Sequence, residues 1–131
     1  MESSPIFTKT YDFMLWLVPI VGRFPKEHRF RLAARLENSL FQFQELILRA
    51  VHSSERRKNL VEADLELEKL RSYLRLAQDL KLLSFDQYES AARHTSEMGK
   101  LLGGWLKATP AAPKAADRGE RPETSRGLLE Q

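Results

Sequence analysis

Apolar residues recur every three or four positions along most of this chain, the spacing that turns one face of an α-helix toward a core at about 100° per residue. The pattern falls into four blocks, running from Thr8 to Gly22, Lys26 to His52, Glu55 to Leu83 and Phe85 to Lys107. Each block carries a main stripe. In the first it is Tyr11, Met14, Val18 and Val21, and in the second Leu32, Leu36, Leu40, Phe43, Ile47 and Ala50. The third stripe is Leu60, Ala63, Leu67, Leu70 and Leu74, and the fourth Ala91, Met98, Leu102 and Trp105. All six prolines and all six glycines lie before residue 26 or after residue 98. A β-rich domain needs turn residues at short intervals, so the long middle stretch excludes one. The expected fold class is all-α, an antiparallel up-down four-helix bundle whose short connections force neighbouring helices antiparallel.

Local signals support these blocks. Pro25 suits the first position of the second helix, Ser53 or Ser54 offers an N-cap to the third, and Ser84 with Gln87 has capping-box spacing for the fourth. Pro19 lacks an amide hydrogen and crowds the carbonyl of Leu15, which predicts a kink or break in the first helix. Beyond Lys107 the composition changes. Residues 109–131 are rich in Ala, Pro, Gly and charges, with Leu128 and Leu129 as the large apolar groups. Burying those two cannot offset the entropy of ordering the segment, so a disordered tail is expected. The division is then an arm over 1–7, a bundle over 8–108 and a tail over 109–131.

The main stripes do not use up the apolar residues. The first helix also carries Phe13, Trp16 and Ile20, the second Phe30, Ala34, Phe41 and Leu48, and the third Leu65, Tyr73, Leu76, Leu80 and Leu83. A small bundle cannot cover them all, and large exposed apolar patches mark interfaces. Phe13, Trp16, Ile20, Phe30, Phe41, Leu48, Tyr73, Leu76 and Leu80 are therefore the candidates for a homo-oligomer or obligate partner interface. The alternative is that the first helix lies across the bundle and hides part of the surplus.

Composition narrows the chemistry. Without cysteine there is no disulfide framework, thiolate metal site or cysteine nucleophile, and a reducing compartment is the expected home. The apolar run Phe13 to Val21 has the length of a signal-peptide core, but its leader is slightly acidic and no small-residue cleavage site follows. It is also too short to span a bilayer. A cytoplasmic protein without membrane contact is expected. His28, His52 and His94 lie far apart with no metal-ligand spacing, and His94 falls on the inward side of its helix. Gly99, Gly103 and Gly104 follow a helical pattern instead of opening a helix after a strand, so they form no phosphate loop. No metal, cofactor or catalytic set is expected.

The formal charge is +3, and residues 109–131 balance four bases against four acids, so the excess belongs to the bundle. Arg23, Lys26, Arg29, Arg31 and Arg35 crowd the start of the second helix, and Arg56, Arg57 and Lys58 the start of the third. Cations there oppose the helix dipole, a local cost that hints at anion binding, since guanidinium groups grip phosphates with paired hydrogen bonds. A solvated mixed-charge surface remains the other reading, because Glu27, Glu37 and Glu55 are interspersed.

Several segments together resemble a known family. They are Tyr11-Asp12, the first-helix proline followed by Phe24-Pro25-Lys26-x-His28, Leu70-Arg71-x-Tyr73-Leu74-Arg75, and Gly99-Lys100-x-Leu102-Gly103-x-Trp105. In this order and spacing, across residues 8–108, they resemble the accessory variability determinant (Avd) proteins of diversity-generating retroelements, four-helix bundles related to ribosomal-RNA intervening-sequence products. The resemblance implies a ring-like homopentamer that binds the retroelement reverse transcriptase and associates with RNA, and with DNA, through basic surfaces. It implies support of error-prone cDNA synthesis in mutagenic retrohoming, with the polymerase supplying the chemistry. Arg71, Arg75, Lys26 and Lys100 match basic positions of the family's segments and become candidates for polymerase or nucleic-acid contact. Arg23, Arg29, Arg35, Arg56 and Arg57 rest on charge alone. Arg71 and Arg75 flank the core stripe and have a structural alternative, salt bridges with acids such as Glu68 or Asp79. The competing functional reading is a scaffold bundle of the intervening-sequence family with another partner. An enzyme stands well behind both.

Overall fold

The computed structural model describes residues 4–111, and no strand occurs among them. Helix α1 spans Pro5–Val21. Helix α2 is built from three successive stretches, Lys26–His28, the π-helical turn Arg29–Ala33 and Ala34–His52. Helix α3 spans Arg56–Asp79 and α4 Phe85–Lys107. The masses of α2 and α3 pack most extensively, α4 lies on α3 and α1, and α1 closes back on α2. Contacts fix the directions. The Phe7 and Trp105 rings meet edge-on at 6.2 Å and Phe13 stacks on His94 at 4.9 Å, so α1 and α4 are antiparallel. Arg57 reaches Leu106 while Arg71 reaches Thr95, which makes α3 and α4 antiparallel too.

The core follows the expected stripes on three helices. Leu32, Leu36, Leu40, Phe43, Ile47 and Ala50 are buried on α2, joined by Ala33, Ser39 and Leu46. On α3 Leu60, Ala63, Leu67, Leu70 and Leu74 are buried with Ala77, and on α4 Ala91, Met98 and Leu102 are, with Trp105 half-buried at the end. Helix α1 departs from expectation. Its inward row is Ile6, Thr10, Phe13, Leu17 and Val21, whereas Tyr11 is 56% exposed. A helix apolar on nearly every side has no unique face by periodicity, and the threonine inside the true row disguised it. The Thr10 hydroxyl is fully buried and pairs with nothing among the described residues, a desolvation cost within the row.

This turn of α1 corrects the surplus. Phe13 is completely buried and stacks on Trp16, so it lines the core and no outer interface. Trp16, Ile20 and Tyr73 pack half-buried against the core, and Phe41 and Leu48 are half-buried as well. Leu83, counted among the surplus, is buried beneath the turn after α3, as Phe24 is after α1. Phe30, Leu76 and Leu80 do stand exposed, joined by Tyr11, Leu15, Val61, Leu65 and Phe85.

The helix ends show where spacing was a poor guide. Ser4 is extended and Pro5 opens α1, so residues 5–7 belong to the helix and Ile6 to the core. The helix runs through Pro19 to Val21 without breaking; the orphaned Leu15 carbonyl lies on an exposed turn. Pro25 caps α2 instead of opening it, and Glu55 caps α3, its amide donating to the Ser53 hydroxyl at 2.9 Å. The Ser84–Gln87 capping box of α4 forms as expected, both hydrogen bonds at 3.0 Å. The expected disorder over 109–131 falls largely outside the described residues; Thr109 itself closes α4, its hydroxyl donating to the Trp105 carbonyl at 2.9 Å.

Helix α3 stops at Asp79, four residues short of Leu83, by a paired closure. The Leu82 amide donates to the Ala77 carbonyl and the Lys81 amide to that of Gln78, both at 2.8 Å. This Schellman geometry needs a left-handed residue, and Lys81 supplies it at φ 64°. A side chain there is strained, whereas glycine is not. Lys81→Gly should therefore stabilise the protein by about 1 kcal/mol in chemical denaturation. An unchanged or lowered stability would show that the turn carries no such strain.

Candidate nucleic-acid and partner interface

The nominated cations divide into those that finish helices and those that face solvent alone. Arg23 turns back to the Pro19 carbonyl at 3.1 Å, at the end of α1. Arg56 donates to the Ala50 and Val51 carbonyls at 2.9 and 3.5 Å, at the end of α2. Arg57 donates to the carbonyls of Leu106 at 3.3 Å and Thr109 at 2.8 Å, at the end of α4. The cluster at the start of α3 thus offsets its unfavourable position by satisfying carbonyls that their own helices leave unpaired. That structural gain removes the reason for reading Arg56 and Arg57 as an anion site.

Lys26, Arg29, Arg31 and Arg35 behave otherwise. All four are exposed, and none of their side chains forms an ion pair or hydrogen bond among the described residues. The side chains of Arg75 and Lys100 are also exposed and have no partner among the described residues. Since α2 and α3 are antiparallel, Arg75 shares the end of the bundle where α2 begins. Lys100 stands apart, on an α4 surface shared with Glu89, Arg93 and Glu97.

A groove of about 730 Å³ runs between α2 and α3. Helix α2 lines it with Arg35, Asn38, Gln42 and Arg49, and α3 with Glu62, Glu66, Lys69 and Tyr73. Glu66 holds Lys69 at 3.1 Å, while Arg35 and Arg49 have no acidic partner among the described residues. Arg49 and Lys69 were not nominated from the sequence. The steps of three, four and seven linking 35, 38, 42 and 49 are a helical row of polar groups, and that row was the available signal.

His94 sits half-buried between α1 and α4, with Phe13 at 4.9 Å and Trp16 at 5.7 Å. Burial lowers its pKa below the usual imidazole value; Asp12 opposes the shift and Lys9 and Arg93 add to it. Among the described residues no group of three or more His, Asp or Glu could hold a metal ion, and no helix is long and apolar enough to cross a membrane.

A family model described as bAvd-like matches residues 5–109. The chain belongs to the bAvd-like family. It is thereby related to the accessory proteins of diversity-generating retroelements. No curated protein and no solved structure matches it. In this bAvd-like protein, two of the segments that carry the resemblance form one unit. Arg71 crosses from α3 to the Thr95 carbonyl of α4 at 3.1 Å and binds Glu68 at 2.7 Å. It passes over Gly99, where a Cβ would lie 2.5 Å from the guanidinium. The Leu-Arg segment of α3 and the glycine opening the α4 segment thus fit as ridge and notch. The salt-bridge alternative with Glu68 holds for Arg71, which is half-buried, and not for Arg75.

Two outcomes follow from this geometry. Arg71→Ala should destabilise the protein by about 1 to 2 kcal/mol, by loss of charge-assisted bonds, while Arg75→Ala stays within about 0.5 kcal/mol; equal Tm values for the two variants would contradict it. For His94 the folded pKa lies below the unfolded one, so the unfolded chain takes the proton first. Stability is complete above the ordinary value of about 6.5 and declines as pH falls through it. Denaturation midpoints measured between pH 7.5 and pH 5 should therefore fall less in His94→Phe than in the parent, and parallel profiles would remove His94 as the cause.

Proposed function

We propose that this protein is the non-catalytic accessory subunit that joins a retroelement reverse transcriptase to its template RNA and nascent cDNA, in support of mutagenic retrohoming. The observation that carries the reading is the set of exposed basic residues on α2, Lys26, Arg29, Arg31, Arg35 and Arg49, whose side chains have no partner among the described residues, on a chain of the bAvd-like family. Cations left without acids lower the cost of approach for a polyanion, and arginine favours phosphate by its forked geometry. Arg75 extends the surface onto α3, and Lys100 offers a separate basic point on α4 for the polymerase.

The assembly in this reading is a ring of copies, five by the family resemblance, that buries the apolar surface at Leu76 and Leu80 of α3. Repetition around an axis multiplies a modest charge into a continuous basic surface.

Co-purification with the reverse transcriptase of its retroelement tests the proposal. The accessory protein should retain both polymerase and RNA, and light scattering should give the mass of five chains of 15.2 kDa each. Replacing Arg29, Arg31 and Arg35 by alanine should leave the mass unchanged and flatten the dependence of log binding constant on log salt by about 2. A single-chain mass would reject the ring. Polymerase that fails to co-purify, or RNA binding indifferent to salt, would reject the functional reading.

A further inference from the structure

Phe30 is 83% exposed, the most exposed large apolar side chain among the described residues. It lies within the π-helical turn Arg29–Ala33. In an unbroken α-helix Phe30 would sit about 120° round from the buried Leu36, on the flank of the core stripe. The wider turn advances less per residue, so it carries Phe30 further from the core while Leu32 and Ala33 stay buried. Turns of this kind concentrate at functional sites. Packing gains nothing from an aromatic ring placed there, and its hydration is costly.

The surroundings indicate the occupant. Between Arg23 and Arg35 the chain carries five cations against one carboxylate, Glu27, with Glu37 two residues beyond. Arg29 and Arg31 flank the ring in sequence, Lys26 precedes it by one turn, and none of the three side chains has a partner among the described residues. An exposed aromatic ring among unpaired cations matches the two parts of an unpaired nucleotide, a flat base and a charged phosphate. A duplex hides its bases and offers the ring nothing to stack on. A second copy of the same basic face would meet like charge.

We propose that Phe30 is a base-stacking contact for a single-stranded nucleic acid, with Lys26, Arg29 and Arg31 on the adjoining phosphates. The inference rests on the proposed nucleic-acid role and adds to it the kind of strand and the residue that reads it.

The test uses the full chain, a labelled oligouridylate, the matching DNA strand, and the duplex of each with its complement, at one fixed ionic strength. Phe30→Ala should weaken single-strand binding about tenfold, leave duplex binding, salt dependence and oligomeric mass unchanged, and keep the parent Tm. Phe30→Trp should bind single strands at least as well as the parent. An equal loss on RNA and DNA marks stacking on the base alone, and a loss confined to RNA adds contact with the ribose; both support the proposal. If the parent binds single strands and Phe30→Ala binds them equally well, stacking is wrong while the nucleic-acid role stands. A change of mass in Phe30→Ala would instead assign the ring to a contact between copies. If the parent binds no nucleic acid at any salt concentration, both the role and the stacking contact fall.

Discussion

Every α-helix ends on carbonyls that it cannot pair itself, and in this bundle that constraint organises both the turns and the charges. The usual remedy is glycine in a left-handed turn, but no glycine lies between Gly22 and Gly99. The protein uses basic side chains in its place. Arg23 closes α1, Arg56 closes α2, and Arg57 closes α4 from the neighbouring helix α3. Lys81 takes the strained backbone geometry itself and closes α3. Because Arg57 belongs to α3 and its acceptors to α4 and the residues after it, capping also sets how those two helices slide against each other. Arg71 repeats this one level down, fixing the same pair in register over the notch at Gly99.

This arrangement separates two uses of one residue type. A guanidinium bound to carbonyls carries its charge into the surface field but has fewer donors left for an outside phosphate. Those on α2 spend none of theirs among the described residues. The net charge of +3 is therefore a poor guide to where an anion would settle. Local excess matters more, and it lies along α2, where neighbouring carboxylates are few and the facing acids of α3 are partly engaged, as Glu66 is with Lys69.

The fold was legible where periodicity had one answer. Helices α2, α3 and α4 each carry one apolar row long and regular enough to stand out from their remaining apolar residues, so their core positions were readable one by one, and the Ser84–Gln87 cap carries its own spacing. Helix α1 is apolar on too many sides, and its true row contains Thr10, so the angle of the helix about its axis had to come from the packing of Phe13 and Trp16 on His94. The end of α3 was illegible because a lysine occupies the place where glycine would signal a stop. The site was legible as a set of cations and no further. Sequence spacing shows where arginines cluster but not which of them find carbonyls 49 or 52 residues away, as Arg57 does. The π turn was equally hidden, since Arg29 to Ala33 has no breaker and reads as continuous helix.

That turn connects the core to the surface. Helix α2 must bury Leu32 and Ala33 near its start and Leu36 and Leu40 one and two turns later. Helical spacing already turns both sets inward; the wide turn keeps them there while its extra backbone length rotates what lies between them and the loop. The residues so displaced are Arg29, Phe30 and Arg31, the charged and aromatic groups that have no role in packing. Packing the core of α2 and presenting its outer face are thus the same backbone event. A change that restored a regular α-helical turn there would disturb the basic surface without altering a single one of its side chains.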